Sequence, residues 1–297
     1  MRKKILILGG TGMLGHVLFR KLLMEENLDV YATARSVGGI EMRFTNELME
    51  RLLKGGDVEN FNVVLKACAN IQPDIIINCI GLIQQRIPKA QNIPSMIKIN
   101  SLLPHRLSLL CKAAGIRMIH ISTDGVFDGR KGSYNEKDEV NMSSPYGMTK
   151  FLGEVSCPNC LTLRTSILGH ELKGKTGLVE WFLAQEGHVK GYTKAIYTGL
   201  PTIEIAEIIS DYILPSDNLW GVYHVSSEPI PKYDLLCLIA DRYRKKIRIE
   251  AFDEYIIDRS LDSSAFRALT GYKPPSWLDL VDKMYLDYIK YERCLCV

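Results

Sequence analysis

A hydroxyl, a phenol and an ammonium stand at spacings suited to moving a proton on or off a carbonyl oxygen. The run Ile119–Gly129 reads as a buried strand that delivers Ser122 and Thr123. Tyr146-Gly147-Met148-Thr149-Lys150 reads as a helix presenting Tyr146 and Lys150 one turn apart. Residues i and i+4 share a helix face, so the Lys150 ammonium is expected beside the phenol, lowering its pKa. A phenol that ordinarily titrates near ~10 would then exchange a proton with a carbonyl or alcohol near neutral pH. Thr123 would hydrogen-bond the same substrate oxygen. Tyr-x-x-x-Lys alone is a weak pattern, met on ordinary exposed helix turns, and its weight comes from the start of the chain.

There, Lys3–Leu8 is a short apolar run suited to the buried first strand of a parallel sheet. It enters Gly9-Gly10-Thr11-Gly12-Met13-Leu14-Gly15, and helical spacing of Val17, Leu18, Leu22 and Leu23 follows over 16–24. Glycines at 9, 12 and 15 form a G-x-x-G-x-x-G turn. Without Cβ atoms they let the backbone approach a pyrophosphate seated on the N–H groups of the helix start. A glycine pattern between strand and helix is the context that makes it a dinucleotide site. The second strand, Leu28–Thr33, ends in Ala34-Arg35-Ser36. An NAD site usually carries Asp or Glu about 20 residues beyond the glycines. Arg35, with Ser36 beside it, suits the 2′-phosphate of NADP instead, through paired charge-assisted bonds; NAD stays as the alternative. Asp57, ahead of Val58, is a candidate acceptor for the adenine amino group, or else a solvated loop acid.

The elements that must position these groups alternate. Candidate strands are Lys4–Leu8, Asp29–Thr33, Asp74–Cys79, Met118–Ser122, Cys160–Arg164 and Gly221–Val225, with helices such as Asn60–Ala69, Pro94–Ala114 and Tyr146–Val155 between them. Alternating βα units predict an α/β fold, a Rossmann-type doubly wound parallel sheet. Beyond residue 166 the pattern loosens into helices (Val179–Gln185, Thr202–Leu214, Lys232–Tyr243, Trp277–Tyr288) and short strands such as Lys245–Glu250. We therefore expect a dinucleotide-binding domain over 1–168, with strands near 190–226 returning to it, and a smaller mixed α/β substrate lobe over 169–297. A net charge of +3 with 24% charged residues argues for neither nucleic acid nor membrane binding. No apolar run approaches the ~20 residues that span a bilayer, so a cytoplasmic protein is expected. Eight cysteines make no disulfide scaffold in a chain of this size. Cys157/Cys160 and Cys294/Cys296 are the close pairs, and no metal is expected.

These motifs together support a family. The chain resembles extended short-chain dehydrogenase/reductases, and among them the dTDP-4-dehydrorhamnose reductase group of nucleotide-sugar enzymes. The resemblance runs through GGTGMLG at 9–15, NCIG at 78–81, IKIN ending at Asn100, STDGVFDG at 122–129, YGMTK at 146–150 and LRTS at 163–166. It continues in GLPT at 199–202, GVYHVS at 221–226 and DRSLDSSAFRALTGYKPPSW at 258–277. It implies Thr123, Tyr146 and Lys150 as the catalytic triad, with Asn100 supporting Lys150 through a helix distortion and a water. Cys79, Ile80 and Gly81 would join the glycine loop around NADP. The implied reaction is reduction of a sugar ketone with proton donation from Tyr146, in polysaccharide or surface glycan biosynthesis. Asn100 as a simple helix cap is the bland alternative.

Residue 125 is Gly where this group carries Tyr, which places Asp124 and Gly125 at the substrate and leaves the sugar open. Gly125 also removes the second acid that 4,6-dehydratases need, and no Cys stands at 124–126 as in epimerase-reductases. His170 and His188 are weak substitutes for a base. Arg164, Arg259 and Arg267 are candidate phosphate contacts, Tyr192, Tyr197 and Trp277 candidate stacking residues, and Arg86 a cleft candidate. Three readings stand: an NADPH-dependent 4-ketoreductase of a nucleotide sugar, an epimerase retaining NAD(P), or a non-catalytic NADP-binding regulatory subunit. Relatives allow a homodimer.

Overall fold

The computed structural model describes residues 2–83, 92–142 and 144–294; Arg86 and Cys296 lie outside them. Strand β1 (Lys3–Leu8) is buried on both faces, and its alternation divides the molecule into layers. Ile5 and Ile7 enter one core, and Leu6 and Leu8 the other. Helix α1 (Met13–Leu23) starts directly after Gly12, three residues before the periodicity predicts. Then come β2 (Leu28–Ala34), α2 (Asn46–Glu50), β3 (Leu52–Lys54), α3 (Asn62–Ile71) and β4 (Ile75–Asn78). Helix α4 (Asn92–Met96) runs through a π-helical turn at Ile97–Leu102 into α5 (Leu103–Ala114). Strand β5 (Arg117–Thr123), helix α6 (Pro145–Phe151) and β6 (Cys160–Thr165) follow.

Beyond it lie β7 (Ile167–Leu168), α7 (Leu178–Leu183), β8 (His188–Tyr192), β9 (Ala195–Tyr197), β10 (Leu200–Pro201) and α8 (Thr202–Ile208). The chain ends with β11 (Gly221–His224), β12 (Ile230–Pro231), α9 (Lys232–Arg242), β13 (Arg248–Phe252), β14 (Ile257–Asp258), α10 (Ser264–Thr270) and α11 (Trp277–Cys294). Seven parallel strands form one sheet in the order β3-β2-β1-β4-β5-β6-β11. The order reverses between β1 and β4, and ligands of open α/β sheets bind at such a switch, beyond the carboxyl ends of the strands.

Of the strands expected between 190 and 226, only β11 joins this sheet. Strand β8 pairs with β13, and β9 sits between β12 and β14 in a separate three-stranded sheet. These short strands share a third core, where Val179, Phe182, Val189, Leu235, Ile239 and Val281 meet. Strand β3 escaped the sequence reading because its three residues, at the sheet edge, bury only Leu52. No helix among the described residues is long and apolar enough to cross a membrane. None of their His, Cys, Asp and Glu side chains gather in threes that could hold a metal. Cys157 and Cys160 are free thiols, their sulfurs 2.8 Å apart.

Candidate active site

The switch point is built by two loops. After β1 the chain turns at Gly9, with φ +88°, and Gly12 opens α1 with no side-chain cap. The first-turn N–H groups of α1 are therefore free for a ligand's phosphates. A Cβ on Gly15 would strike the Gly9 carbonyl oxygen, so the third glycine serves helix-to-strand packing. The loop after β4 is fixed by two buried asparagines. Asn78 Oδ1 accepts from the Ile80 N–H at 3.2 Å. Asn100 Oδ1 accepts from Leu82 N–H at 2.8 Å, while its Nδ2 donates to the Leu82 carbonyl and the Thr149 hydroxyl.

Asn100 lies inside the π-helical turn, not at a helix start, so it caps nothing. The π-helical turn is the helix distortion that the resemblance implies, and from it Asn100 clamps the loop after β4 and Thr149, the residue next to Lys150. Gly153 completes this joint, since a Cβ there would run into the Asn100 carbonyl.

Between the two loops a cavity of about 380 Å³ reaches the catalytic candidates. Gly12, Met13, Leu14, Cys79, Ile80 and Gly81 line one part; Thr123, Asp124, Tyr146, Lys150 and Ser166 line the other. The uncapped helix start and the cavity running from it to Tyr146 fit a dinucleotide, whose phosphates the first turn of α1 would hold. A smaller pocket of about 230 Å³ lies at the end of β2, lined by residues that include Thr11, Arg35, Ser36 and Lys173. Lys173 was not foreseen, because it arrives from the loop after β7. Its ammonium donates to the Gly38 carbonyl. Glu171, at the same pocket, turns its carboxylate to the Thr176 and Gly177 N–H groups at 2.7 and 2.8 Å. Val58 is buried, and Asp57 accepts from Glu59 N–H at 3.1 Å, bracing its own turn.

Strand β5 carries Thr123 to its end, and Ser144 caps α6 by accepting from Gly147 N–H at 3.1 Å. Gly147 lets α6 touch the Gly125 carbonyl, where any Cβ would collide. The Lys150 ammonium donates to the Ile121 carbonyl at 2.6 Å, and burial brings its pKa down to about 8 against the pull of Glu154. The expected acidification of Tyr146 is absent. Burial pushes its phenol up to about 12, with a hydrogen bond from Thr123 opposing and the Asp124 charge reinforcing the shift. Lys150 is held on the β5 backbone instead, at the Ile121 carbonyl.

On the substrate side the residues separate. Thr123 Oγ1 accepts from Gly125 N–H and donates to Asp124 at 3.2 Å. Burial raises the Asp124 pKa, while the Arg259 and Lys232 charges and hydrogen bonds from Thr123 and Ser166 oppose it. Burial raises the pKa of the Tyr197 phenol, and Ser166 opposes the rise. Arg164 does not belong there. It is buried in an ion pair with Glu154, Nε to Oε1 at 2.9 Å and Nη2 to Oε2 at 2.8 Å. Arg267 pairs with Glu228, and Trp277 Nε1 donates to the Glu228 carbonyl. Tyr192 packs on Phe252 and Tyr255. His170 is bound between Glu180 and Tyr243, and His188 is exposed on β8. Ser166, Ile167 and Gly177 line the cavity and were not singled out from the sequence; Ser166 ends the LRTS motif, while Lys232, whose charge acts on Asp124, had no pattern to mark it.

A family model described as RmlD substrate binding domain matches residues 2–288. Methionine adenosyltransferase 2 subunit beta of Danio rerio is 28% identical over 258 residues, covering 81% of this chain and 74% of that protein. The dTDP-4-dehydrorhamnose reductase of Aggregatibacter actinomycetemcomitans is 27% identical over 251 residues, 80% of this chain and 78% of its own. A solved structure described as a hypothetical dTDP-4-dehydrorhamnose reductase from Sulfolobus tokodaii is similar with a TM-score of 0.73 at 27% identity, covering 93% of this chain and 98% of that one. The dTDP-4-dehydrorhamnose reductase of Bacillus anthracis, solved in complex with NADP, superposes with a TM-score of 0.77 over 97% of this chain and 100% of its own. At 20% identity it supports the fold alone.

Proposed function

This chain belongs to the RmlD substrate binding domain family, and on that premise we propose that it reduces a nucleotide-activated 4-keto-6-deoxy sugar to its 4-hydroxy product with NADPH. It is an NAD(P)-dependent oxidoreductase of the Rossmann type. The observation that carries the proposal is one cavity holding both the uncapped glycine loop and the Thr123–Tyr146–Lys150 set. Residues 1–168 with β11 are taken as the cofactor unit and most of 169–297 as the substrate lobe.

The nicotinamide, when bound, supplies the reducing equivalent. The chain supplies position and the proton. Tyr146 keeps its proton up to about pH 12, the state needed to donate to a carbonyl oxygen as it gains charge. Thr123 takes its own N–H donor from Gly125, which leaves its hydroxyl hydrogen for Asp124 or for the substrate oxygen. Lys150 brings a positive charge to the cavity wall at neutral pH, since its pKa is about 8. Arg35 and Lys173 are the proposed ligands of a 2′-phosphate, and Asp124, Gly125 and Arg259 the proposed contacts of the sugar. Gly125 leaves no second acid beside Asp124, which favours plain reduction over dehydration.

NADPH absorbance with a panel of dTDP-, UDP- and GDP-4-keto-6-deoxysugars tests this. Oxidation with one sugar and none without it is expected. A second reading follows from the likeness to methionine adenosyltransferase 2 subunit beta: a regulatory subunit that binds NADP without turning it over. NADPH binding with no oxidation of any sugar would favour it. A homodimer is the proposed assembly, through the apolar surface that Ile97, Leu102, Leu109, Met148 and Leu152 expose on neighbouring helices. Sedimentation at micromolar concentration checks that.

A further inference from the structure

The run Cys157-Pro158-Asn159-Cys160 takes no part in the cleft, and its local fold has a chemistry of its own. Pro158 and Asn159 form a tight turn between α6 and β6. The Cys160 N–H donates to the Cys157 carbonyl at 2.9 Å, and Asn159 takes the left-handed backbone conformation, with φ +67°. A proline that fixes φ at the first central position and an asparagine that tolerates positive φ at the second suit a type II turn. The turn is also moored from outside, because the Asn159 carbonyl accepts from the Met118 N–H of β5 at 2.8 Å. Such a turn holds its first and fourth Cα atoms within about 7 Å, which overlaps the roughly 4.4–6.8 Å that a disulfide spans. The side chains use that closeness: the two sulfurs are 2.8 Å apart, against roughly 2.05 Å in a formed bond.

The two thiols are unequal. Cys160 is 1% exposed and belongs to the core that Leu6 and Leu8 enter, with Cys68 and Cys111. Cys157 is half-buried and packs at the edge of that core. Of this pair, Cys157 is therefore the thiol that a reagent in solvent can meet. Burial pushes the Cys160 thiol upward and the contact with Cys157 adds to the rise, which keeps it protonated and unreactive toward solvent. Proximity supplies what its acidity does not, once Cys157 carries a partner sulfur. Among the described residues no third ligand joins the pair to hold a metal.

We propose that Cys157 and Cys160 are a reversible dithiol–disulfide site that exchanges with low-molecular-weight disulfides, Cys157 attacking and Cys160 resolving. The Cys157 thiolate bonds to one sulfur of the small disulfide, whose S–S bond breaks and releases a first thiolate. Cys160 then bonds to Cys157 Sγ, the mixed disulfide breaks, and a second thiolate leaves. Two protein thiols are oxidised, one small disulfide is reduced to two thiols, and the two protein protons end on those thiols. The site lies at the amino end of β6, whereas Thr165 at the other end lines the catalytic cavity. Five strand positions separate them, roughly 17 Å, so the exchange stands apart from the reductase reading.

Incubation of the full chain with reduced and oxidised glutathione in varied ratio, then acid quenching, alkylation and peptide mapping by mass spectrometry, tests the assignment. The native chain should lose two alkylatable thiols, with the linkage mapped to Cys157 and Cys160, and excess reduced glutathione should restore both. Cys160→Ser should stop at the first step and hold one glutathione on Cys157. Cys157→Ser should leave Cys160 unmodified until the chain is unfolded. NADPH affinity of the native chain should be the same before and after oxidation, which reports that the oxidised chain is folded. A native chain that keeps both thiols in fully oxidised glutathione overturns the proposal, and so does a linkage between other cysteines in place of this one. Glutathione held on Cys160 in Cys157→Ser, as readily as on Cys157 in Cys160→Ser, overturns the division of roles. The native chain alone decides the linkage, so neither variant has to fold for the proposal to fail.

Discussion

Arg164 separates two accounts of the same residue by measurement. As a phosphate ligand, its loss would raise KM and leave stability alone. As half of a buried ion pair, its loss should do the reverse. Both side chains of the Arg164–Glu154 pair are 6% exposed. Glu154 also accepts from the Ser122 hydroxyl at 2.7 Å, and Arg164 Nη1 meets His224 Nε2 at 3.3 Å. Removing one partner of such a pair costs about 3–5 kcal/mol, because the other is left charged and buried. At roughly 2 °C per kcal/mol for a chain of this size, the unfolding midpoint should fall by about 6–10 °C. Arg164→Met and Glu154→Leu should each do this in calorimetric unfolding, with KM for the sugar unchanged. The double variant should regain most of the loss, since an apolar pair of similar volume is often neutral, with Ser122 and His224 left to find other partners. A midpoint unmoved by Arg164→Met, with KM raised, would refute the ion-pair account.

Tyr146→Phe should abolish turnover while leaving NADPH affinity, followed by cofactor fluorescence, nearly unchanged; residual reduction at the parent rate would exclude Tyr146 as the donor. Activity that depends on the Lys150 ammonium should decline as pH rises through about 8, well before an ordinary lysine titrates. The stability effect has the opposite sign. Between about 8 and 10.5 the unfolded chain binds the extra proton, so the Lys150 contribution to stability rises with pH there, and pH-dependent unfolding checks it. Lys173→Met should weaken NADPH binding and spare NADH, and Arg35→Asp should move preference toward NADH; equal losses for both cofactors would remove the 2′-phosphate assignment. Gly153→Ala should destabilise the chain and lower turnover together, because its methyl meets the Asn100 carbonyl at the joint that seats α6.

The cofactor half was legible because its signals are local. A buried strand, three glycines and a helix start lie within one short stretch, and the β5–α6 residues keep their spacing in the fold. The partners of Asn100, Leu82 and Thr149, were not legible, because they belong to separate elements distant in sequence. Arg164 was misread because sequence shows a guanidinium and hides the carboxylate ten residues earlier that neutralises it. The phenol's pKa was misjudged for a related reason. Helical spacing sets Lys150 near Tyr146, yet burial and the Ile121 carbonyl decide where the charge acts. Lys173 and Lys232 come from the second lobe, where strands of two to five residues give little periodicity to read.

Strand β11 seats against β6 only after an excursion through residues 166–220. A chain emerging from its amino terminus can assemble the sheet as far as β6 and then wait with a bare parallel edge. Such an edge invites wrong pairing, and closing it across so long a separation is slow. The seven-stranded sheet is therefore completed only after residues 166–220 have been made. A gene fusion that exchanged the substrate lobe at residue 168 would discard the closing strand with it. Recombination that preserves a working enzyme has to carry residues 221–224 across with the first half, and fragments ending before them should aggregate.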